Sequence, residues 1–246
     1  MTHDSYRLLV AGASGETGTA ILEYLADTEY TARALTRHGE NESMLRRHGA
    51  DEVVVGNLFD RDDAMRAIAD VDGVLCAVGS PRKRLLFGRP VDGDGVQNLV
   101  DAALHAGVSY FVLESALGVG DSKDCLSWPQ RLLRHRLLRA KGKTEAHLRD
   151  SNLPYTIVRP GRLRDGEMTQ QLVVAEGGAT VSGSVRRADV AWLMVAALTT
   201  PEARNRTFEV VGPESVPGGV DDAVDFDWRG PESGLVATRS DYSIPS

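Results

Sequence analysis

Three glycines at a spacing of three, Gly12, Gly15 and Gly18, stand in the run Val10-Ala11-Gly12-Ala13-Ser14-Gly15-Glu16-Thr17-Gly18. A strand-like apolar stretch precedes them and a helix-like stretch follows. In that context each glycine has its own task. Gly12 permits a tight turn, Gly15 lets backbone approach a pyrophosphate, and Gly18 lets the helix pack closely on the sheet. The free N–H groups and positive end of the helix then face phosphate oxygens. Ser14, Glu16 and Thr17 complete this candidate phosphate-facing loop. Glu16 places an acid close to it, but its side chain can turn to solvent and still suit the helix dipole.

The end of the second strand separates two ligands. A chain that binds NAD usually carries Asp or Glu there to hold the ribose 2′-hydroxyl. This one reads Ala34-Leu35-Thr36-Arg37-His38. The planar fork of Arg37 suits a 2′-phosphate, because it donates two hydrogen bonds to one oxyanion. The expected cofactor is therefore NADP(H), with NAD(H) the less favoured alternative.

The elements that must position these residues follow a βαβ pattern. Strands are predicted over 6–10, 31–35, 52–55, 73–78, 110–113, 155–158 and 208–211. Helices are predicted over 19–25, 42–48, 62–69, 96–105, 129–149 and 188–198, the last opened by Arg187 with Asp189 in its first turn. The strands are near-continuous Val, Leu and Ala, as in a parallel sheet covered on both faces. The fold expected is α/β, a doubly wound parallel sheet of Rossmann type in a single domain over 1–211. Residues 212–246 hold seven acids, two arginines and much Pro and Gly, and read as an irregular acidic tail.

Composition narrows the partners. Of the 246 residues 42% are hydrophobic and 26% charged, and the net charge of −7 argues against a nucleic-acid binder. Cys76 and Cys125 make no disulfide framework, which fits a reducing cytoplasm. No signal peptide or membrane-spanning run is read. Cys76 lies in a predicted buried strand and reads as packing. His105, His135 and His147 have no second ligand at a zinc spacing, so no metal is expected. Ser115 lacks a G-x-S-x-G elbow, which disfavours a hydrolase.

The motifs together resemble the atypical short-chain dehydrogenase/reductases, the branch with NmrA-like proteins, biliverdin-IXβ-reductase-like proteins and NAD(P)H-flavin reductases. The resemblance rests on the glycine run, Phe111-Val112-Leu113-Glu114-Ser115, Ala140-Lys141 with Glu145, Tyr155-Thr156-Ile157-Val158-Arg159-Pro160-Gly161 and Arg187-Ala188-Asp189-Val190-Ala191. It spans about residues 6 to 211. It implies that Asn57 and Leu58 lie beside the adenine, with Asn57 where the family more often has aspartate. It implies that Ala77, Val78 and Gly79 pass the adenosine ribose and pyrophosphate. Ser115 would face the nicotinamide, Lys141 would reach the ribose hydroxyls, and Pro160 with Gly161 would close over the ring. Ser115 and Lys141 are the candidate catalytic pair. The family's usual tyrosine, four residues before the lysine, is here Leu137. The acid that protonates a carbonyl oxygen is therefore missing.

Two basic clusters remain. Arg131, Arg134, Arg136, Arg139, Lys141 and Lys143 alternate with Leu132, Leu133, Leu137 and Leu138, so the cations read as the solvated face of an amphipathic helix. Arg82-Lys83-Arg84 follows the fourth strand, on the edge where open α/β sheets bind ligands. The leading expectation is an NADPH-dependent reductase of a conjugated acceptor such as a flavin, quinone or tetrapyrrole. The alternatives are a non-catalytic NADP(H) sensor or assembly factor and a sugar-nucleotide epimerase or dehydratase. A small-molecule substrate, and neither nucleic acid nor membrane, is the expected partner.

Overall fold

The apolar runs become strands of one sheet, because only a pleated surface covered on both sides buries them. A computed structural model describes residues 6–80, 88–178, 181–218, 220 and 223–231. Its strands are β1 (Arg7–Ala11), β2 (Thr31–Thr36), β3 (Glu52–Val55), β4 (Gly73–Cys76), β5 (Tyr110–Glu114), β6 (Tyr155–Pro160), β7 (Arg162–Arg164), β8 (Val173–Ala175), β9 (Ser184–Arg186) and β10 (Arg206–Val211). The main sheet has the order β3-β2-β1-β4-β5-β6-β10-β8. The order reverses direction beside β1, which makes the sheet doubly wound.

The helices are α1 (Glu16–Leu25), α2 (Glu42–Arg47), α3 (Arg61–Ile68), α4 (Val96–Ala106), α5 (Trp128–Asp150) and α6 (Arg187–Ala196). One face of the sheet packs Leu8, Val10, Val112 and Phe208 under Ile21 and Leu22 of α1, Leu45 of α2 and Leu193 of α6. The other packs Leu9, Val74 and Phe111 under Ile68 of α3, Leu99 of α4 and Leu148 of α5. Each such fully buried side chain contributes about 1.5–3 kcal/mol. Cys76 belongs to this second layer, and burial pushes its thiol up to about 12. That suits packing.

The structure departs from the sequence reading in three places. β8 joins the edge antiparallel to β10, where an all-parallel sheet was expected. The short β7 and β9 pair in a second, two-stranded parallel sheet that the pattern did not reveal. An amphipathic α5 with its cations on the solvated face should bury its leucines, yet Leu132 and Leu133 are 60% and 86% exposed. The buried residues of α5, Ala140, Thr144, Glu145 and Leu148, all lie in its C-terminal half. Its first turns border a cleft instead of the sheet.

Past β10 the chain crosses back over the sheet's edge. Val224 N–H donates to Val174 O at 2.7 Å, and Phe226 and Trp228 stand edge-on to Phe208 with ring centres 5.9 and 5.5 Å away. Arg82-Lys83-Arg84 and the chain beyond residue 231 lie outside the described residues.

The turn between β1 and α1 is the tightest joint. Gly12 has a φ of +81°, and a Cβ there would sit 2.5 Å from Ala77 O just past β4. A Cβ at Gly18 would lie 2.2 Å from Gly12 O, so the helix rests directly on the turn. Gly18→Ala is expected to cost about 1–3 kcal/mol by overpacking and to lower Tm by roughly 2–10 °C. Thermal unfolding of the variant checks this, and an unchanged Tm would refute it.

Candidate functional site

The sequence-predicted residues gather around the carboxyl ends of the parallel strands, with Glu16, Thr17 and Gly18 in the first turn of α1 and Lys141 reaching in from α5. Arg37 is exposed just past β2, and exposed Asn57 and buried Leu58 follow β3. Buried Ala77 and Val78 and exposed Gly79 follow β4, Ser115 follows β5, and Pro160 with Gly161 ends β6. A parallel sheet gathers these positions along one edge, which is where ligands of open α/β sheets bind.

The glycine loop fits a dinucleotide phosphate. α1 has no side-chain N-cap, so its first-turn N–H groups have no partner of that kind, and Ser14, Gly15 and Glu16 are exposed above it. Gly79 borders open space, with nothing within 4 Å of where a Cβ would stand. Glu16 no longer conflicts with an anion there: its Oε2 pairs with Arg187 Nη2 at 2.6 Å. Arg187 also pairs with Asp165, so one guanidinium from α6 holds the acid aside. At the other end, Asn57 Oδ1 accepts Phe59 N–H at 3.2 Å, which leaves the amide NH2 as its remaining donor end.

Two networks set the floor beyond β5. Lys141 Nζ donates to Glu114 O at 2.9 Å and stands 3.3 Å from Asp92 Oδ1, with its side chain 12% exposed. Burial works against the ammonium, but Asp92 and Glu114 together hold its pKa above the ordinary lysine value. The Glu114 side chain turns to the opposite side of the sheet, where Thr17 Oγ1 donates to its Oε1 at 3.2 Å. Burial raises its pKa, and Lys141 opposes the shift.

The second network is ionic and deeper. Ser115 Oγ donates to Glu145 Oε1 at 2.5 Å. The same carboxylate receives Arg159 Nε at 3.0 Å, Arg159 Nη2 at 2.7 Å and Arg149 Nη2 at 3.0 Å. Arg159 also reaches Glu209 at 2.9 Å and Asp121. A carboxylate held by two guanidiniums keeps accepting, so the Ser115 proton is committed to it. Toward a ligand Ser115 then offers lone pairs, a hydrogen-bond acceptor and not a donor.

Ser115, Lys141, Pro160 and Gly161 meet at a cleft of about 1220 Å³. Leu137 lines it too, where the family's tyrosine would stand. Trp128, Leu132 and Leu133 form its outer wall. Among the described residues no three His, Cys, Asp or Glu side chains gather as a metal-ligand set. No helix among them is long and apolar enough to cross a membrane.

The sequence reading missed Asp92, Glu114, Glu145, Arg159 and Arg187 as working residues. The signal was a charged residue inside an apolar strand, as with Arg159 in Tyr155–Pro160. Such a group survives burial only when paired.

Glu114 supplies a pH test. Its carboxyl binds a proton more tightly in the folded state than in the unfolded state. Its ionisation therefore costs stability as pH rises from the ordinary 4.5 through its raised value. Wild type should lose stability against Glu114→Gln across that window and not below it. Urea unfolding of both proteins across the acid range checks this, and parallel curves would refute it.

Comparison with known proteins agrees with a dinucleotide-binding fold. A family model described as NAD(P)H-binding matches residues 12–201. An uncharacterised chloroplastic protein of Arabidopsis thaliana is 30% identical, with 85% of this chain and 70% of that one aligned. Sanguinarine reductase of Eschscholzia californica is 28% identical, covering 88% of this chain and 91% of its own. Among solved structures, an anaerobillin reductase from Escherichia coli O157:H7 superposes with a TM-score of 0.75 at 26% identity, covering 85% of this chain and 98% of that one. The chain belongs to the NAD(P)H-binding atypical short-chain dehydrogenase/reductase family.

Proposed function

We propose that the protein is an NADPH-dependent reductase of a conjugated small-molecule acceptor of the flavin, quinone or tetrapyrrole kind. One observation carries the reading. Lys141 and Ser115 border a large cleft, yet Leu137 stands where a proton-donating tyrosine would be and the Ser115 hydroxyl already donates its hydrogen bond to Glu145. An unconjugated ketone needs an acid at its oxygen as hydride arrives. A conjugated acceptor becomes a delocalised anion and takes its proton from water, so no such acid is required. The names of sanguinarine reductase and the anaerobillin reductase support reduction as the reaction class.

On this reading the bound dinucleotide supplies hydride. The first turn of α1 with Ser14, Gly15, Glu16, Thr17 and Gly18 would hold its phosphates, Asn57 and Leu58 the adenine, and Ala77, Val78 and Gly79 the span between. Arg37 would meet the 2′-phosphate. Lys141, fixed by Asp92 and Glu114 O, would donate its remaining N–H to ribose hydroxyls. Ser115 would accept from a carboxamide or acceptor N–H, and Pro160 and Gly161 would bound the ring. Rate enhancement would come mainly from proximity in a cleft that displaces water.

The reading is tested by NADPH oxidation against flavins, quinones and unconjugated ketones. Oxidation by the first two groups and none by ketones is expected. Rapid ketone reduction, or tight NADPH binding without turnover on any acceptor, would overturn it. Lys141→Ala should weaken NADPH binding and turnover together, since its contact would serve ground and transition states alike. A lower kcat with unchanged affinity would contradict that role.

Cofactor choice is a separate prediction. Arg37→Ala should weaken NADP binding about tenfold, the lower end for a charge-assisted bidentate contact because Arg37 is exposed, and leave NAD binding as it was. Titration of both cofactors against both proteins reads this directly. An unchanged preference would remove Arg37 from the account.

A further inference from the structure

The outer half of the cleft has a composition that neither the fold nor cofactor binding explains. Trp128, Leu132 and Leu133 are 68%, 60% and 86% exposed on the first turns of α5. Large apolar side chains at that exposure, facing a concavity, mark a surface that something covers. Arg134 and Arg136 from the same turns and Arg162 from β7 line the cleft beside them. With Lys141, four cations line it, and Glu114, the one acidic residue that borders it, turns its carboxyl away to Thr17, in a chain whose net charge is −7.

These cations are not alike. Lys141 is balanced by Asp92, and Arg136 Nη2 donates to Gly88 O at 2.7 Å. Arg134 and Arg162 pair with no carboxylate among the described residues, and both are exposed at the cleft. An acidic protein that keeps such arginines around an apolar concavity raises the local concentration of anions there. A planar guanidinium also matches the two oxygens of a carboxylate, sulfonate or phosphate.

We propose that the cleft selects acceptors that carry an acidic group, with the conjugated rings lying against Trp128, Leu132 and Leu133 and the anion held by Arg134 and Arg162. The proposal rests on the reductase reading and names its substrate class: a flat, apolar, conjugated molecule with a carboxylate, sulfonate or phosphate substituent. A lipid surface is the weaker fit to the same residues. The side chains surround a concavity that runs inward to Ser115 and Lys141, which a bilayer face cannot enter.

Calorimetric titration of the full chain without cofactor tests this, using a naphthoquinone sulfonate, its uncharged parent and a quaternary-ammonium derivative as probes. The sulfonate is expected to bind about tenfold more tightly than the parent at low salt, and the derivative more weakly than either. The preference should shrink as salt is raised. In the double variant Arg134→Gln, Arg162→Gln the affinities for sulfonate and parent should converge, with thermal unfolding as the check that the variant folds. Equal affinities in wild type, or a preference that survives the double substitution or high salt, would overturn the proposal. So would displacement of the sulfonate by phosphatidylglycerol vesicles that sediment the protein. Because no cofactor is present, sulfonate-selective binding without NADPH turnover would count against the reductase reading and leave the anion preference standing.

Discussion

Arg159 lies near the carboxyl end of β6 with its side chain only 2% exposed, and much of the candidate site follows from how that charge is satisfied. A guanidinium taken out of water is tolerated only where carboxylates meet it with good geometry. Glu145 on α5, Glu209 on β10 and Asp121 in the segment after β5 do so. Burial alone would depress the guanidinium's pKa, but these carboxylates raise it. Removing one partner of such a cluster typically costs about 3–5 kcal/mol, because the other charge is left buried and alone. The cluster therefore fixes where α5 sits over the sheet.

Fixing α5 decides the chemistry at the β5 end. Glu145 is anchored by Arg159 and Arg149, so it accepts the Ser115 hydroxyl's hydrogen bond and leaves Ser115 as an acceptor toward a ligand. One turn earlier on the same helix Lys141 is set between Asp92 and Glu114 O. Leu137 is one turn earlier still, at the cleft. Beyond it the helix leaves the sheet, and its side chains turn from core to rim. One helix thus carries a buried ionic anchor, a cofactor-facing lysine and an exposed apolar wall in succession. The rigid end orients and the exposed end receives.

The fold was legible because its signals are local. Val, Leu and Ala runs alternate with amphipathic stretches, and all seven predicted strands are found within two residues of their expected ends. The glycine loop was legible because Gly12 and Gly18 answer to steric contacts at one turn. β7, β8 and β9 escaped because three-residue strands leave no periodicity. The ionic cluster escaped for a different reason. Glu145, Arg159 and Glu209 are far apart in the chain, and only the packed sheet brings them together. The leucines at 132 and 133 misled because helical spacing reports which residues share a face, not what that face meets.

The central claim is that the cleft at Lys141 and Ser115 is where hydride leaves NADPH for a conjugated acceptor. Single-turnover oxidation of NADPH carrying deuterium at C4 of the nicotinamide, mixed with a quinone, tests it most directly. The account predicts slower oxidation with one of the two C4-deuterated stereoisomers and loss of that isomer's label from C4 of the oxidised nicotinamide, while the other isomer keeps its label there. NADPH that stays reduced in the complex with every acceptor, or oxidation without any isotope effect, would contradict it.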